Sequence, residues 1–313
     1  MANKELTVAI LGPGGVGGLL AALLSRAGHR VICLAGAETA DTLRTNGIRV
    51  RSEGFGDFTA AVEADTELRE PVDACLITVK ATALDAALTR VPARTLADGL
   101  LVPFLNGVEH PAHLRARHDP ARVAPAIIRV ESTRVAPGVV EHGSPFAEID
   151  LTGDTVPRER LDALAAALNA AGPRTRVLPD ETAALWAKMT FLAPLALLTT
   201  LPHSRLRSSG GTPIALPLGD VRTRHREELT ALLAETAAVS RAYGGPSDAA
   251  GALARYDTFP PATKSSMQRD AEAGRPLELD AIGGALLRAA ELQGIPVPVT
   301  ASLVRELAAP NAN

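Results

Sequence analysis

The chain has 313 residues, of which 46% are hydrophobic, 21% charged and only 3% aromatic. That length supports two domains with separate cores filled mainly by Ala, Leu and Val, in the balance of a globular, soluble chain. A formal net charge of −3 argues against nucleic acid or an anionic membrane surface as partner. With no signal segment and no bilayer-spanning run evident, a cytoplasmic location is expected.

Residues 6–11 form a short apolar, β-prone run that enters Gly12-Pro13-Gly14-Gly15-Val16-Gly17-Gly18, after which residues 19–24 read as helix. This is G-x-G-x-x-G between a strand and a helix, the context that makes the pattern informative. Gly12 permits the tight turn, Gly14 lets the backbone approach a pyrophosphate, and Gly17 lets the helix lie close to its strand. The N–H groups of Gly15, Val16 and Gly17, at the positive end of the helix dipole, would then face the phosphates. The predicted cofactor-binding stretch is therefore Gly12, Gly14, Gly15, Val16 and Gly17.

Gly28 is placed to end the first helix, and residues 30–34 form the second strand. The residue closing that strand selects the cofactor: a carboxylate accepts from a free ribose, an Arg accommodates a 2′-phosphate. Here the chain offers Ala35-Gly36-Ala37, with Glu38 and Arg44 as the nearest charges, so the choice stays open. Short strands are predicted over 48–50 and 58–62, followed by a nearly continuous apolar strand over 71–79 with Lys80 at its end. A further strand over 100–105 delivers Asn106-Gly107 to the same edge, where ligands collect in open α/β folds. Cys33 and Cys75 fall inside predicted buried strands and read as small core residues. His110, His113 and His118 read as solvent-exposed residues of a polar helix, without the further ligands that a metal site needs.

Residues 123–130, 135–142 and 146–151 read as antiparallel strands closing the first domain's sheet. A helix over Arg158–Ala171 and a strand over 176–178 complete that domain. Beyond Pro179 the β signal nearly vanishes, which predicts domains over 1–178 and 179–313. In the second, residues 182–201 form a mostly apolar, central helix carrying Lys188 between Trp186 and Phe191. A lysine in that company either snorkels to the surface or faces a cavity.

Taken together, the 12–17 turn, Val79-Lys80, Asn106-Gly107, Trp186-x-Lys188, Ser265-Ser266-Met267-x-x-Asp270, Gly274-Arg275-x-x-Glu278-x-Asp280 and Gly294-Ile295-x-x-Pro298 resemble the ketopantoate reductases (2-dehydropantoate 2-reductases) nearly end to end. The resemblance implies an α/β protein, with an N-terminal Rossmann dinucleotide-binding domain and a C-terminal all-helical domain. It implies NADPH (NADP+) as cofactor, with Lys80, Asn106 and Glu278 near its ribose and nicotinamide end. Lys188 would donate the proton, and Ser266 would bind the substrate carboxylate or hydroxyl with Glu278 nearby. The expected partner is a small-molecule carbonyl substrate, with no nucleic acid and no membrane, in a monomer or homodimer.

The chemistry supports these roles independently. Hydride delivered to a carbonyl carbon leaves negative charge on oxygen, which needs a cation or proton donor. Lys188 is the candidate in its helix, and partial burial would make it a better acid.

Two departures from the family pattern stand out. Leu192 and Ala196 occupy positions that typically carry substrate-binding Asn, with Pro194 between them predicting a kink. Gly36 stands at or near the place of a phosphate-binding Arg, which leaves NADH open beside NADPH. A carbonyl with a larger apolar group is thereby favoured over ketopantoate. An imine (C=N) reductase or specialised-metabolite ketoreductase on this scaffold is a second reading, and an NADP(H)-sensing regulator a third.

Overall fold

The structure is a computed structural model that describes residues 5–208 and 216–309. The chain divides into two units, one of Met1–Leu105 with His110–Glu181, the other of Asn106–Glu109 with Thr182–Asn313.

The first unit begins with β1 (Thr7–Leu11), α1 (Gly15–Arg26), β2 (Arg30–Leu34), α2 (Ala37–Asn46), β3 (Ile48–Ser52), β4 (Phe58–Ala60) and β5 (Glu63–Asp65). It continues with β6 (Ala74–Ile77), α3 (Leu84–Leu88), α4 (Ala93–Leu96), β7 (Leu100–Pro103) and α5 (His110–Arg115). The remaining elements are β8 (Ala126–Arg129), β9 (Ser132–Ala136), β10 (Val139–His142), β11 (Glu148–Leu151), α6 (Arg158–Ala171) and β12 (Arg174–Val177).

Five strands pair in the order β5-β2-β1-β6-β7, all parallel. Every residue of β6 and β7 is buried, as strands covered on both faces require. Cys33 and Cys75 lie in this sheet, and burial pushes both thiols up to about 12. They are core residues.

The later strands do not extend that sheet, contrary to the antiparallel closure expected from their pattern. They build two separate sheets, ordered β4-β3-β10-β9 and β12-β11-β8. Each mixes pairings: β10 runs parallel to β3 and antiparallel to β9, β11 parallel to β12 and antiparallel to β8. The physical reason lies in α1. All eight residues from Gly17 to Leu24 are buried, so the helix needs cover on the side away from β1. Val140 of β10 supplies part of it, because a Cβ on Gly18 would come within 2.7 Å of its Cγ2.

Among its described residues, the second unit has only helical elements. It comprises α7 (Glu181–Ser208), α8 (Leu218–Arg224), α9 (Arg226–Ala242), α10 (Ala249–Thr258) and α11 (Ser266–Glu272). A π-helical turn over Asp280–Gly284, α12 (Ala285–Leu292) and α13 (Pro298–Ala308) follow. Trp186, Met189, Ala193 and Leu197 of α7 belong to one core cluster with residues of α9, α12 and α13. Contrary to expectation, the Glu181–Leu201 stretch is long and apolar enough to cross a membrane, yet 72% of its most apolar window is buried inside the protein. It is a core helix, and it runs unbroken past Pro194.

Candidate functional site

Gly12 has φ +88°, a left-handed conformation that favours glycine, and a Cβ there would also strike Val79 Cγ1 at 2.5 Å. The Thr78 hydroxyl donates to the carbonyls of Gly12 (2.8 Å) and Leu11 (3.2 Å), tying the turn to the end of β6. At Gly17 a Cβ would fall 2.2 Å from Thr78 Oγ1 and 2.5 Å from Gly12 O, so the strand side of the turn is closed. At Gly14 a Cβ would meet nothing nearer than 3.9 Å. The turn is tight where it packs and open at Gly14, the position where a backbone approaches a pyrophosphate.

Gly14 caps α1 with no side-chain hydrogen bond, and no acidic residue occupies the first turn. The leading N–H groups, of Gly15, Val16 and Gly17, lack intrahelical acceptors and sit at the positive end of the dipole. Gly15 is further crowded from outside, since its Cβ would lie 2.2 Å from Ser132 O, and Ser132 Oγ donates to Gly15 O at 2.8 Å. These residues fit a dinucleotide diphosphate.

Lys80 is half-buried and stands three residues past the end of β6, where it leads into a short 3-10 turn. At the end of β2, Gly36 caps α2, and a Cβ there would meet nothing within 4 Å. Arg44 is already committed, to Asp41 and, at 3.0 Å, to Ala64 O. Glu38 is exposed in the first turn of α2.

In the second unit, Asn106 Nδ2 donates to Glu278 Oε2 at 2.9 Å. Glu278 is only 6% exposed, so this amide satisfies part of a carboxylate largely removed from water. The same segment is fixed twice more. Gly107 (φ +89°) leaves no room for a Cβ, which would sit 2.3 Å from Ala281 O. Arg288 grips Glu109 with Nε at 2.8 Å and Nη2 at 2.7 Å, and holds Asp280 with Nη1 at 2.7 Å. That contact keeps the Asp280 carboxyl below its ordinary range. The π-helical turn begins two residues after Glu278, and such turns recur at functional sites.

Lys188 is half-buried on α7. Leu192, one turn on, is also half-buried, whereas Ala196 is fully enclosed in the core. The expected aliphatic wall is therefore corrected at Ala196, which has no surface to offer because α7 is buried on every face from Ala193 to Leu201. Ser266 is exposed at the first position of α11.

Its neighbour Ser265 is buried, and its Oγ accepts from Gln268 N at 3.0 Å and pairs with Thr199 Oγ1 at 2.8 Å. Asp270 is buried and pairs with Arg275 at 2.9 Å. Sequence reasoning named Ser265 only as part of a motif, without a role, and passed over Glu109 and Arg288. The Ser-x-x-Gln spacing of a capping box would have marked the first; no local pattern marks a pairing between residues 109 and 288.

The histidines also depart from expectation. His110 is buried at 6% exposure, because the start of α5 turns inward with Pro111 and Leu114. His113 Nε2 lies 2.7 Å from Asp85 Oδ1. Burial, and then Arg117 and Arg122, hold the pKa of His118 below its ordinary 6.5. Among the described residues no group of three His, Cys, Asp or Glu is placed to hold a metal ion.

Known proteins match this architecture. The model described as "Ketopantoate reductase PanE/ApbA" matches residues 8–151, and that for the C-terminal part of the same family matches residues 182–311. The chain is 30% identical over 312 residues to a 2-dehydropantoate 2-reductase of Mycobacterium tuberculosis, covering 96% of this chain and 97% of that one. It superposes with TM-score 0.83 and 28% identity on the crystal structure of a PanE/ApbA family ketopantoate reductase from Ralstonia eutropha, covering 96% and 97%. D-mandelate dehydrogenase, solved with NADH and anilino(oxo)acetate, shares the fold at TM-score 0.82 but only 19% identity, over 96% and 97%. The chain thus belongs to the ketopantoate reductase family, and is an oxidoreductase acting on a carbonyl group.

Proposed function

We propose that the protein is an NADPH-dependent reductase of 2-oxo acids whose substituent is larger and more apolar than that of ketopantoate. The observation that carries the cofactor half is the contrast between the closed strand side of Gly17 and the open position of Gly14. A merely structural glycine turn has no reason to leave Gly14 open.

When bound, the cofactor supplies a hydride to the carbonyl carbon. Lys188 donates the proton that the carbonyl oxygen takes up. Glu278, held by Asn106, orients the lysine or a substrate hydroxyl. Ser266, exposed at the start of α11, binds the substrate carboxylate. Lys80 assists at the ribose. Leu192 offers aliphatic surface on the face of α7 that carries Lys188, one turn away, which favours an apolar substituent.

The test is kcat/KM with NADPH over a panel of 2-oxo acids graded in the size and polarity of the substituent, with cyclic imines as a second panel. The reading expects ketopantoate to be a poor substrate and an oxo acid with a branched aliphatic or aromatic group a better one. Efficient reduction of ketopantoate overturns the substrate assignment. Turnover of imines alone moves the activity to C=N bonds, and cofactor binding with no turnover at all favours a sensing role.

A further inference from the structure

We infer that Arg90 supplies the positive charge that selects a 2′-phosphorylated dinucleotide, in place of the arginine missing after β2. The inference rests on the 12–17 turn being a dinucleotide site. A dinucleotide on that turn carries its adenosine ribose to the C-terminal end of the second strand, where a nearby Arg accommodates a 2′-phosphate. Turn and strand end are bonded neighbours here, since Gly12 N donates to Leu34 O at 3.1 Å.

Arg90 comes from a distant part of the sequence, just past α3. Its Nη1 donates to Ala35 O at 2.9 Å and to Thr66 O at 2.8 Å. Ala35 follows β2 and Thr66 follows β5, and these strands are adjacent in the parallel sheet. The guanidinium is thus pinned at the ligand edge of the sheet, one strand out from the glycine turn.

Two carbonyls use both hydrogens of Nη1. Among the described residues no carboxylate pairs with Arg90, and Nη2 and Nε have no protein acceptor. The neighbouring arginines are spent: Arg44 on Asp41 and Ala64 O, Arg69 on Asp65 at 2.7 Å. Gly36, beside Ala35, leaves its surroundings open. A planar, permanently charged fork held in place by carbonyls, with donors left over, is suited to a phosphate dianion. The competing group is Glu38, exposed on α2, which would accept instead from a free 2′-hydroxyl.

The experiment titrates 2′,5′-ADP, 5′-AMP, NADP+ and NAD+ calorimetrically into the wild type, Arg90→Ala and Arg90→Gln. The glutamine variant keeps an N–H donor for the two carbonyls, and a thermal melt of each variant confirms folding. Wild type is expected to bind the two 2′-phosphorylated ligands more tightly. Both variants should weaken those ligands by about ten- to a hundredfold while leaving 5′-AMP and NAD+ within about twofold. Equal weakening of all four ligands shows that Arg90 only ties β2 to β5, and overturns the inference. So does unchanged NADP+ affinity in the variants, or a wild type that prefers NAD+. A wild type that binds none of the four brings down the dinucleotide reading itself.

Discussion

The two units prepare for ligands with different materials. In the first, the phosphate turn is a backbone site: what matters at Gly12, Gly14 and Gly17 is the side chain that is missing, and the donors are N–H groups at the start of α1. In the second, it is side chains held by other side chains: Glu278 by Asn106, Glu109 and Asp280 by Arg288, Ser265 by Thr199. A backbone site tolerates no added atom on its packed side and is indifferent to most other changes. A side-chain site tolerates atoms but fails when a partner is removed.

The sharpest way to test that contrast is Lys188→Ala. Turnover should fall by roughly a hundred- to ten-thousand-fold, the range for a lost general acid, with cofactor affinity unchanged. Single-turnover kinetics beside a binding titration separates the two, and a matching loss of affinity would break the division of labour.

Next in size are two glycine substitutions that should part company. Gly17→Val forces a side chain against Thr78 Oγ1 and the Gly12 carbonyl, at 2.2 and 2.5 Å from the Cβ alone. It should cost about 1–3 kcal/mol or more in stability. Gly14→Val enters open space and should cost about 1 kcal/mol or less, while dinucleotide binding collapses. Melting curves with and without NADPH read both effects at once. A Gly14→Val protein that keeps its affinity would make the turn purely structural.

A smaller shift is expected from Leu192→Asn. If Leu192 meets the substrate, an amide there should move the kcat/KM ratio toward a hydroxylated oxo acid by about tenfold, the worth of one hydrogen bond of 1–2 kcal/mol. Ala196→Asn serves as the contrast, since it buries an amide in the core and should lower Tm without a comparable change in preference.

The smallest effect concerns pH. Burial, then Arg117 and Arg122, depress the pKa of His118 in the folded state below 6.5. The unfolded chain therefore takes up that proton more readily. The stability contribution is complete above pH 6.5 and is lost as pH falls through the lower folded-state value. His118→Gln should flatten the decline of Tm over that window, and an unchanged slope would assign the decline to other groups.

The same contrast explains what could be read before the structure. The glycine turn was legible because its requirements are steric and local, written in six consecutive positions. The parallel strands β1, β2, β6 and β7 were legible because burial on both faces demands unbroken apolar runs, whereas the edge strand β5, Glu-Ala-Asp, carries no such run; α6 was read to its end residues. The pairing of β3 with β10 was not legible, because parallel partners far apart in sequence leave no turn signal between them, nor was that of β11 with β12, which are joined through α6 rather than by a turn. Asn106 was singled out by its place at the ligand edge and Glu278 through family resemblance, but nothing local in either indicates a bond spanning 172 residues. Ala196 misled for a related reason: helical spacing put it on the stripe of Lys188, but spacing is silent on where neighbouring helices close over that stripe.

The Asn106–Glu109 segment belongs with the helical unit, although the chain on both sides of it belongs to the sheet unit. Its polar partners, Glu278 and Arg288, lie 172 and 179 residues further along. At a synthesis rate of about 5–20 residues per second, the segment leaves the ribosome roughly ten to thirty seconds before either partner exists. Closing so long a loop is among the last events in folding. The nascent sheet unit thus carries an unfinished loop during that interval, and a gene fragment ending at Glu181 would carry it permanently.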